Sequence, residues 1–424
     1  MKKHLILCFV GLSLLVGFAV FRLWVNAGQA EEQLQVADQA LAAGDFAKAR
    51  ELAESSLFLH NVQSLKERAW YVAGTAFLRD MQLHRSQRLP KAMEHLGQIP
   101  RQSPWFPKSA LALANDKLFE AKSPLEANSM VDDALMEWPN DMALNNWKIV
   151  WLTVCHAPEL AEPYFLAGAR ASKQNAEETE LLLRTWLRSQ FCPEQIETDF
   201  DRQLGGAGTA EFTNDTIRLE RWTTLRRWNL ADPRFDAAIT HWYLKRGLVS
   251  DAMEQMHLAR EKAEHYPDPM FLFVAIQVFC ETGQLENARQ VLQPLRDLAP
   301  GFLSKVSAAR VALAQNDTKT AILELEAAQQ LWPGPIDPWI SQSLERIYRD
   351  QTDQESLIRA DQLRHQQDRL QTLRTKLQEL LALPHWEATE VAAIRDLMLG
   401  LNRTAETGLL AQVVGASSSA KVQE

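Results

Sequence analysis

Cysteine is scarce in this chain, and the motifs that would give it a chemical purpose are missing. Cys8, Cys155, Cys192 and Cys280 are far apart. No CxxC or CxxCH occurs, which removes zinc, thioredoxin-like and haem-attachment readings. Cys8 falls in an apolar run, leaving three thiols for the body. Isolated buried thiols are the simpler reading, with a Cys155–Cys192 disulfide the alternative in an oxidising compartment. Glycine (17) and proline (18) are too few for collagen-like or low-complexity polymers. Strand signals are also absent: Val/Ile/Thr alternation and Asn-Gly or Asp-Gly turns do not appear, whereas Ala, Leu, Glu, Gln and Arg dominate.

A basic excess is lacking too. The formal charge is −9, and residues 27–424 hold 42 basic against 54 acidic residues. Such a body repels phosphate backbones, so nucleic acid is not an expected partner. No HExxH, GxSxG, P-loop, post-strand GxGxxG or EF-hand loop is present. Neither catalytic residues, cofactor nor metal is therefore expected. The carboxylate pairs Glu31-Glu32, Asp132-Asp133 and Glu177-Glu178 are adjacent, diverge by about 100° on a helix and read as solvated faces. His241-Trp242-Tyr243 and His257 lie on expected helices, as core or groove residues. Gly205-Gly206-Ala207-Gly208 has no Lys-Ser/Thr after it and reads as a linker. Arg221-Trp222 and Arg226-Arg227-Trp228 form a basic-aromatic helix, read as buried tryptophans under exposed arginines.

One long apolar run is present. Leu5 to Phe21 is uncharged, and a helix from Leu5 to Val25 reaches about 31 Å, enough for a hydrocarbon core of about 30 Å. Arg22 would snorkel and Trp24 would sit at the interface. The expectation is an uncleaved signal anchor over 1–27; cleavage near Ala27 or Ala30, giving a secreted protein, is the alternative. Lys2 and Lys3 precede the run, so the amino terminus is expected in the cytoplasm and the body on the periplasmic or other extracytoplasmic side.

The body repeats a frame. Gly44 stands five residues before Ala49, Gly247 before Ala252, Gly283 before Ala288 and Asn316 before Ala321. Gly and Asn tolerate a left-handed helix terminus. Second helices then carry a small residue, a large one four later and a closing proline: Ala127, Val131, Ala134, Pro139; Ala288, Leu292, Leu295, Pro300; Ala321, Leu325, Ala328, Pro333. Preceding helices supply Ile276 and Phe279, Ala309 and Ala312, and Trp70, Ala73, Gly74 and Phe77. This pattern resembles the tetratricopeptide repeat (TPR), a helix–turn–helix of 34 residues in which stacked neighbours bury what one hairpin cannot, and specifically a membrane-anchored bacterial member. The equivalent second-helix residues are Ala49, Ala92, Ala127, Ala161, Ile196, Ala252, Ala288, Ala321 and Ala405. Departures occur at His156, where glycine is expected before Ala161, and at Gln190 or Phe191 before Ile196.

The resulting expectation is an all-α, TPR-like α-solenoid, a superhelix of about nine helical hairpins, preceded by one transmembrane helix. An N-terminal array spans 31–204, a linker and extra helix 205–229, a C-terminal array 230–350, a long capping helix 353–383, a terminal hairpin 386–414 and a disordered tail 415–424. Leu363, Leu370, Leu373, Leu377 and Leu380 approximate a heptad seam for about two heptads. That seam reads as packing on the last repeat, with a homo-oligomer through 363–381 as the alternative. The resemblance implies a concave surface lined by first helices, bearing Arg234, His241 and Lys245, then Phe273 and Gln277, then Arg310. Asp38, Asp116 and Glu120 hold the N-terminal equivalents. It implies a membrane-anchored scaffold or adaptor that binds protein or peptide partners without chemistry. The alternative is an accessory subunit of an envelope biogenesis or secretion complex, with an activity in Cys155–Trp228.

Overall fold

The structure, a computed structural model, describes residues 27–58, 62–171, 176–203, 215–351, 353–383 and 386–420. The expected anchor up to residue 26, the glycine-rich stretch over 204–214 and the last four residues lie outside them, whereas residues 415–420 of the tail expected to be disordered end a helix. Every element is helical: α1 (27–43), α2 (Phe46–Ser56), α3 (Gln63–Arg79), α4 (Arg85–Leu96), α5 (Phe106–Asn115), α6 (Pro124–Glu137) and α7 (Met142–Val154). There follow α8 (Glu162–Arg170), α9 (Ala176–Phe191), α10 (Pro193–Gln203), α11 (Asp215–Trp228), α12 (Pro233–Lys245), α13 (Val249–His265) and α14 (Pro269–Glu281). The chain continues through α15 (Leu285–Leu298), α16 (Phe302–Ala314), α17 (Thr318–Gln329), α18 (Pro338–Gln351), α19 (Gln354–Leu381), α20 (Ala388–Gly400) and α21 (Thr404–Ala420). No helix among the described residues is long and apolar enough to cross a membrane.

The hairpin frame has a backbone cause. Gly44, Gly247, Gly283 and Asn316 all take positive φ, and so do Lys122 and His156. Each stands five residues before a small residue that is wholly buried: Ala49, Ala252, Ala288, Ala321, Ala127 and Ala161. The left-handed residue reverses the chain after one helix, and the small residue lets the next helix close on it. His156 is thus not a departure from the frame; its backbone meets the demand at the steric cost a side chain incurs there. In the last hairpin the left-handed residue is Asn402 and Ala405 is only half-buried. The register taken from Ala405 is therefore displaced. The inward positions are Glu406, Leu409 and Leu410.

The chain forms two compact units. Unit 1 holds residues to Glu120 with Ser129–Trp138, and unit 2 holds Ala121–Asn128 with Pro139 onward. In unit 1, α1, α2 and α3 meet through Ala37, Ala40, Ala49, Ala53, Ala69, Ala73 and Ala76, with Leu34 and Val72 filling the gaps. A second cluster joins Leu78, Ala92, Leu96 and Ile99.

Unit 2 is a turn of hairpins that closes on itself. Helices α12, α14 and α16 stand side by side, and α17 leads to α18 and α19. Helices α19 and α21 then return onto α9. The closure is hydrogen-bonded: Arg184 and Arg188 donate to the carbonyls of Leu383 and Leu381, and Gln378 donates to that of Phe191. The Trp186 indole donates to Glu406 at 2.8 Å, and Arg403 bridges Glu406 and Glu162. One continuous core runs from Met142 to Leu410. The heptad seam of α19 faces this core: Leu363, Leu377 and Leu381 are buried, and Leu370, Leu373 and Leu380 pack against it.

Candidate functional site

Helices α12 and α14 begin alike, which sets the phase of their faces. Asp232 and Asp268 cap them, accepting from the amides of Arg234 and Phe271, and Pro233 and Pro269 occupy the first turn. Residues four or seven apart then share a side. The structure brings His241 of α12 against Phe273 of α14, with the charges of Lys245 and of Arg310 on α16 acting on the imidazole.

Two expected groove residues are structural. Arg234 forks onto Asp232, with Nε–Oδ1 at 2.9 Å and Nη2–Oδ2 at 2.6 Å, and its guanidinium lies 5.4 Å from the Trp151 ring centre. Asp232 is wholly buried, so this pair belongs to the packing. Phe273 is buried as well, and the ring of His241 meets it edge-on at 6.4 Å. Gln277 is 6% exposed. Lys245 is exposed at the end of α12.

Around His241 and Arg310 the structure gathers residues that sequence reasoning missed. His156 packs its ring 4.9 Å from that of His241 and 5.3 Å from Trp222. Glu159 lies in the short turn Pro158–Leu160 after it. Trp339, at the start of α18, lies 3.9 Å beneath the Arg310 guanidinium. Asp337 caps α18, accepting from the Trp339 amide at 2.8 Å. The one legible signal was His156 at a turn position normally held by glycine; Glu159 and Asp337 arrive through tertiary contact alone.

The electrostatics are those of a partly buried cluster. His156, Glu159, His241 and Arg310 are all half-buried, and together they make a polar recess. Burial pushes the Glu159 carboxyl up to about 7, with Lys245 opposing and Asp337 reinforcing the shift. Burial also holds both histidines well below their usual range, assisted by Lys245. Both are therefore neutral at pH 7. Three atoms of the recess have no hydrogen-bond partner: Glu159 Oε2, His241 Nδ1 and Arg310 Nε. Buried polar atoms are ordinarily satisfied, and three unmet ones gathered around Arg310 make this cluster the candidate site.

The nearby thiol of Cys280 is pushed up to about 11 by burial, which keeps it protonated and a poor nucleophile at neutral pH. Cys155 and Cys192 are buried and unpaired, so they form no disulfide. Among the described residues no three His, Cys, Asp or Glu side chains are placed to hold a metal ion. The basic-aromatic helix α11 differs from its expected form. Trp222 is buried and donates to the Val154 carbonyl at 2.8 Å, but Arg221 is buried with it, forked onto Asp201.

No family model matches the chain, and no curated protein matches it in sequence. Among solved structures, a chain of the crystal structure of the APC/C hetero-tetramer Cut9-Hcn1 is similar over 91% of this chain and 76% of its own. It is 13% identical with a TM-score of 0.35, so the fold description rests on the hairpins themselves.

Proposed function

We propose that unit 2 is a protein-binding scaffold whose inner face takes an extended segment of a partner protein, and that the chain performs no chemistry of its own. The observation that carries this is the recess floor, where Arg310 Nε, His241 Nδ1 and Glu159 Oε2 lack partners beside the exposed Lys245. An arginine and a lysine beside neutral imidazoles offer charge-assisted bonds to a carboxylate, while a carboxyl near half-protonation both donates and accepts. The helical hairpins supply the setting, since stacked helices present long, regular inner surfaces.

Cross-linking and co-purification with the full chain test this reading. Replacing Arg310 and Lys245 together by Ala is expected to weaken capture of a specific partner at least tenfold and to flatten its salt dependence, with the melting temperature lowered only by the lost Arg310–Trp339 packing. Unchanged capture would move the binding surface elsewhere.

The same proposal places the body on the extracytoplasmic side of a membrane, anchored through residues 5–25; the support is the apolar run with Lys2 and Lys3 before it. Protease added to intact spheroplasts should digest the body and spare a cytosolic marker. Full protection reverses the orientation, and a mature amino terminus near Gly28 or Glu31 shows cleavage.

A further inference from the structure

A second opening lies where α18, α19 and α20 meet the end of α9. It is a cavity of about 220 Å³. Its floor is apolar: Phe191, Ile336, Leu373, Leu377, Leu397 and Leu401. Leu373, half-buried on the α19 seam, packs against the core and also lines this space. The upper wall has a different character. Gln342, Gln367 and Gln371 bring three side-chain amides to it, beside Ser341. Gln367 Nε2 is buried and has no hydrogen-bond partner. The charged groups in the lining are Asp337, Asp368 and Arg374. One cation against two carboxyls gives no preference for an anion.

An apolar floor under amide donors and acceptors matches one chemistry: a hydrophobic side chain carried on peptide groups. We propose that this cavity is an anchor pocket for one large apolar residue, of leucine to phenylalanine size, in an extended peptide, with the flanking main-chain amides bonded to Gln367 and its neighbouring glutamines. The pocket rests on the reading of unit 2 as a peptide-binding scaffold and adds to it what the partner must carry. Asp337 joins the two places, since the residue lines the cavity and its carboxyl feels Arg310 and Lys245 of the recess. A peptide seated on the recess floor therefore has a hydrophobic anchor within reach.

The probe is N-acetyl-phenylalaninamide, titrated against the full chain and followed by saturation-transfer NMR of the ligand. Binding is expected in the millimolar range, as befits so small a ligand. N-acetyl-alaninamide should bind at least fivefold more weakly. Leu397→Trp, which fills the floor, should abolish the signal, and Gln367→Ala should weaken it about threefold; circular dichroism establishes that each variant is folded. If Leu397→Trp does not fold, Leu373→Met and Gln367→Ala carry the test through their affinity changes. Absence of binding overturns the proposal. So does toluene binding as tightly as the amide, because the glutamines would then recognise nothing. Arg310→Ala with Lys245→Ala should leave the probe's affinity unchanged. Loss of partner capture in that variant reports on the recess, and loss of probe binding in Leu397→Trp reports on the pocket, so the two readings fail separately.

Discussion

Asp38, Asp116 and Glu120 in unit 1 are the places that the repeat reading equates with the cationic stripe in unit 2, and the two sets are partnered differently. In unit 1 each acid finds an arginine of the same unit: Asp38 with Arg68, Asp116 with Arg85 at 3.1 Å, and Glu120 with Arg88 at 3.2 Å. Those charges are spent internally, and the face is neutralised. In unit 2 Arg234 is treated so with Asp232, while Arg310 lies over Trp339 without an acid partner among the described residues and leaves its Nε unmet, as Arg85 does in unit 1. A stripe of like charge in sequence therefore says little about binding until its internal partners are known. What marks a candidate site is a cluster of unmet polar groups and not any one of them.

The largest expected effect breaks the stripe at its structural member. Arg234→Ala strips the wholly buried Asp232 of its fork. Removing one partner of a buried pair leaves an uncompensated charge, and a loss of about 3–5 kcal/mol in denaturant titration is expected. A loss below about 1 kcal/mol would mean that Asp232 finds another partner, and would return Arg234 to the binding face.

The second test concerns Glu159, whose carboxyl is raised from 4.5 to about 7 mainly by burial. The folded value exceeds the unfolded one, so the native state holds the proton more tightly. Its contribution is fully present below pH 4.5 and is lost as pH rises through 7. Glu159→Gln should therefore be more stable than the parent at pH 8, by on the order of 3 kcal/mol, with the difference vanishing near pH 4. The depressed His156 and His241 act in the other sense. Their contribution is present above 6.5 and is lost as pH falls toward their lower folded values. Thermal melts of both proteins from pH 4 to 8 check the sign; a constant difference would place Glu159 in open solvent.

The hairpins were legible because their spacing is enforced by backbone geometry. A left-handed residue followed five positions later by a small one is a local rule, and glycine or asparagine at the turn announces it. His156 and Lys122 obey the same geometry silently, since nothing in a residue's identity reveals that its neighbours hold it at positive φ. The return of α19 and α21 onto α9 was not legible either. It depends on contacts such as Trp186 with Glu406, separated by 220 residues, and no repeat period encodes them. The recess inherits that blindness: α12 and α16 were placed by the repeat, whereas Glu159 and Asp337 come from irregular turns between helices. Gly283→Ala tests the local half of this account. Nothing lies within 4 Å of an added Cβ, and φ is +72°, so the expected cost of about 1–2 kcal/mol is conformational alone.

The smallest expected effect sharpens the comparison from the side of unit 1. Arg68 on α3 and Asp38 on α1 join two helices, but their side chains remain 23% and 35% exposed. Water screens such a pair and the ordered arginine costs entropy, so Arg68→Ala should lower stability by no more than about 1 kcal/mol. In 1 M salt, where the screening length falls to about 3 Å, the difference should shrink further. Measured beside Arg234→Ala under the same conditions, the two substitutions separate charge neutralised near the surface from charge built into the core. A cost above about 2 kcal/mol for Arg68→Ala would make the pair as integral as Arg234 with Asp232, and unit 1 would then owe its folding, and not merely its neutrality, to the acidic stripe.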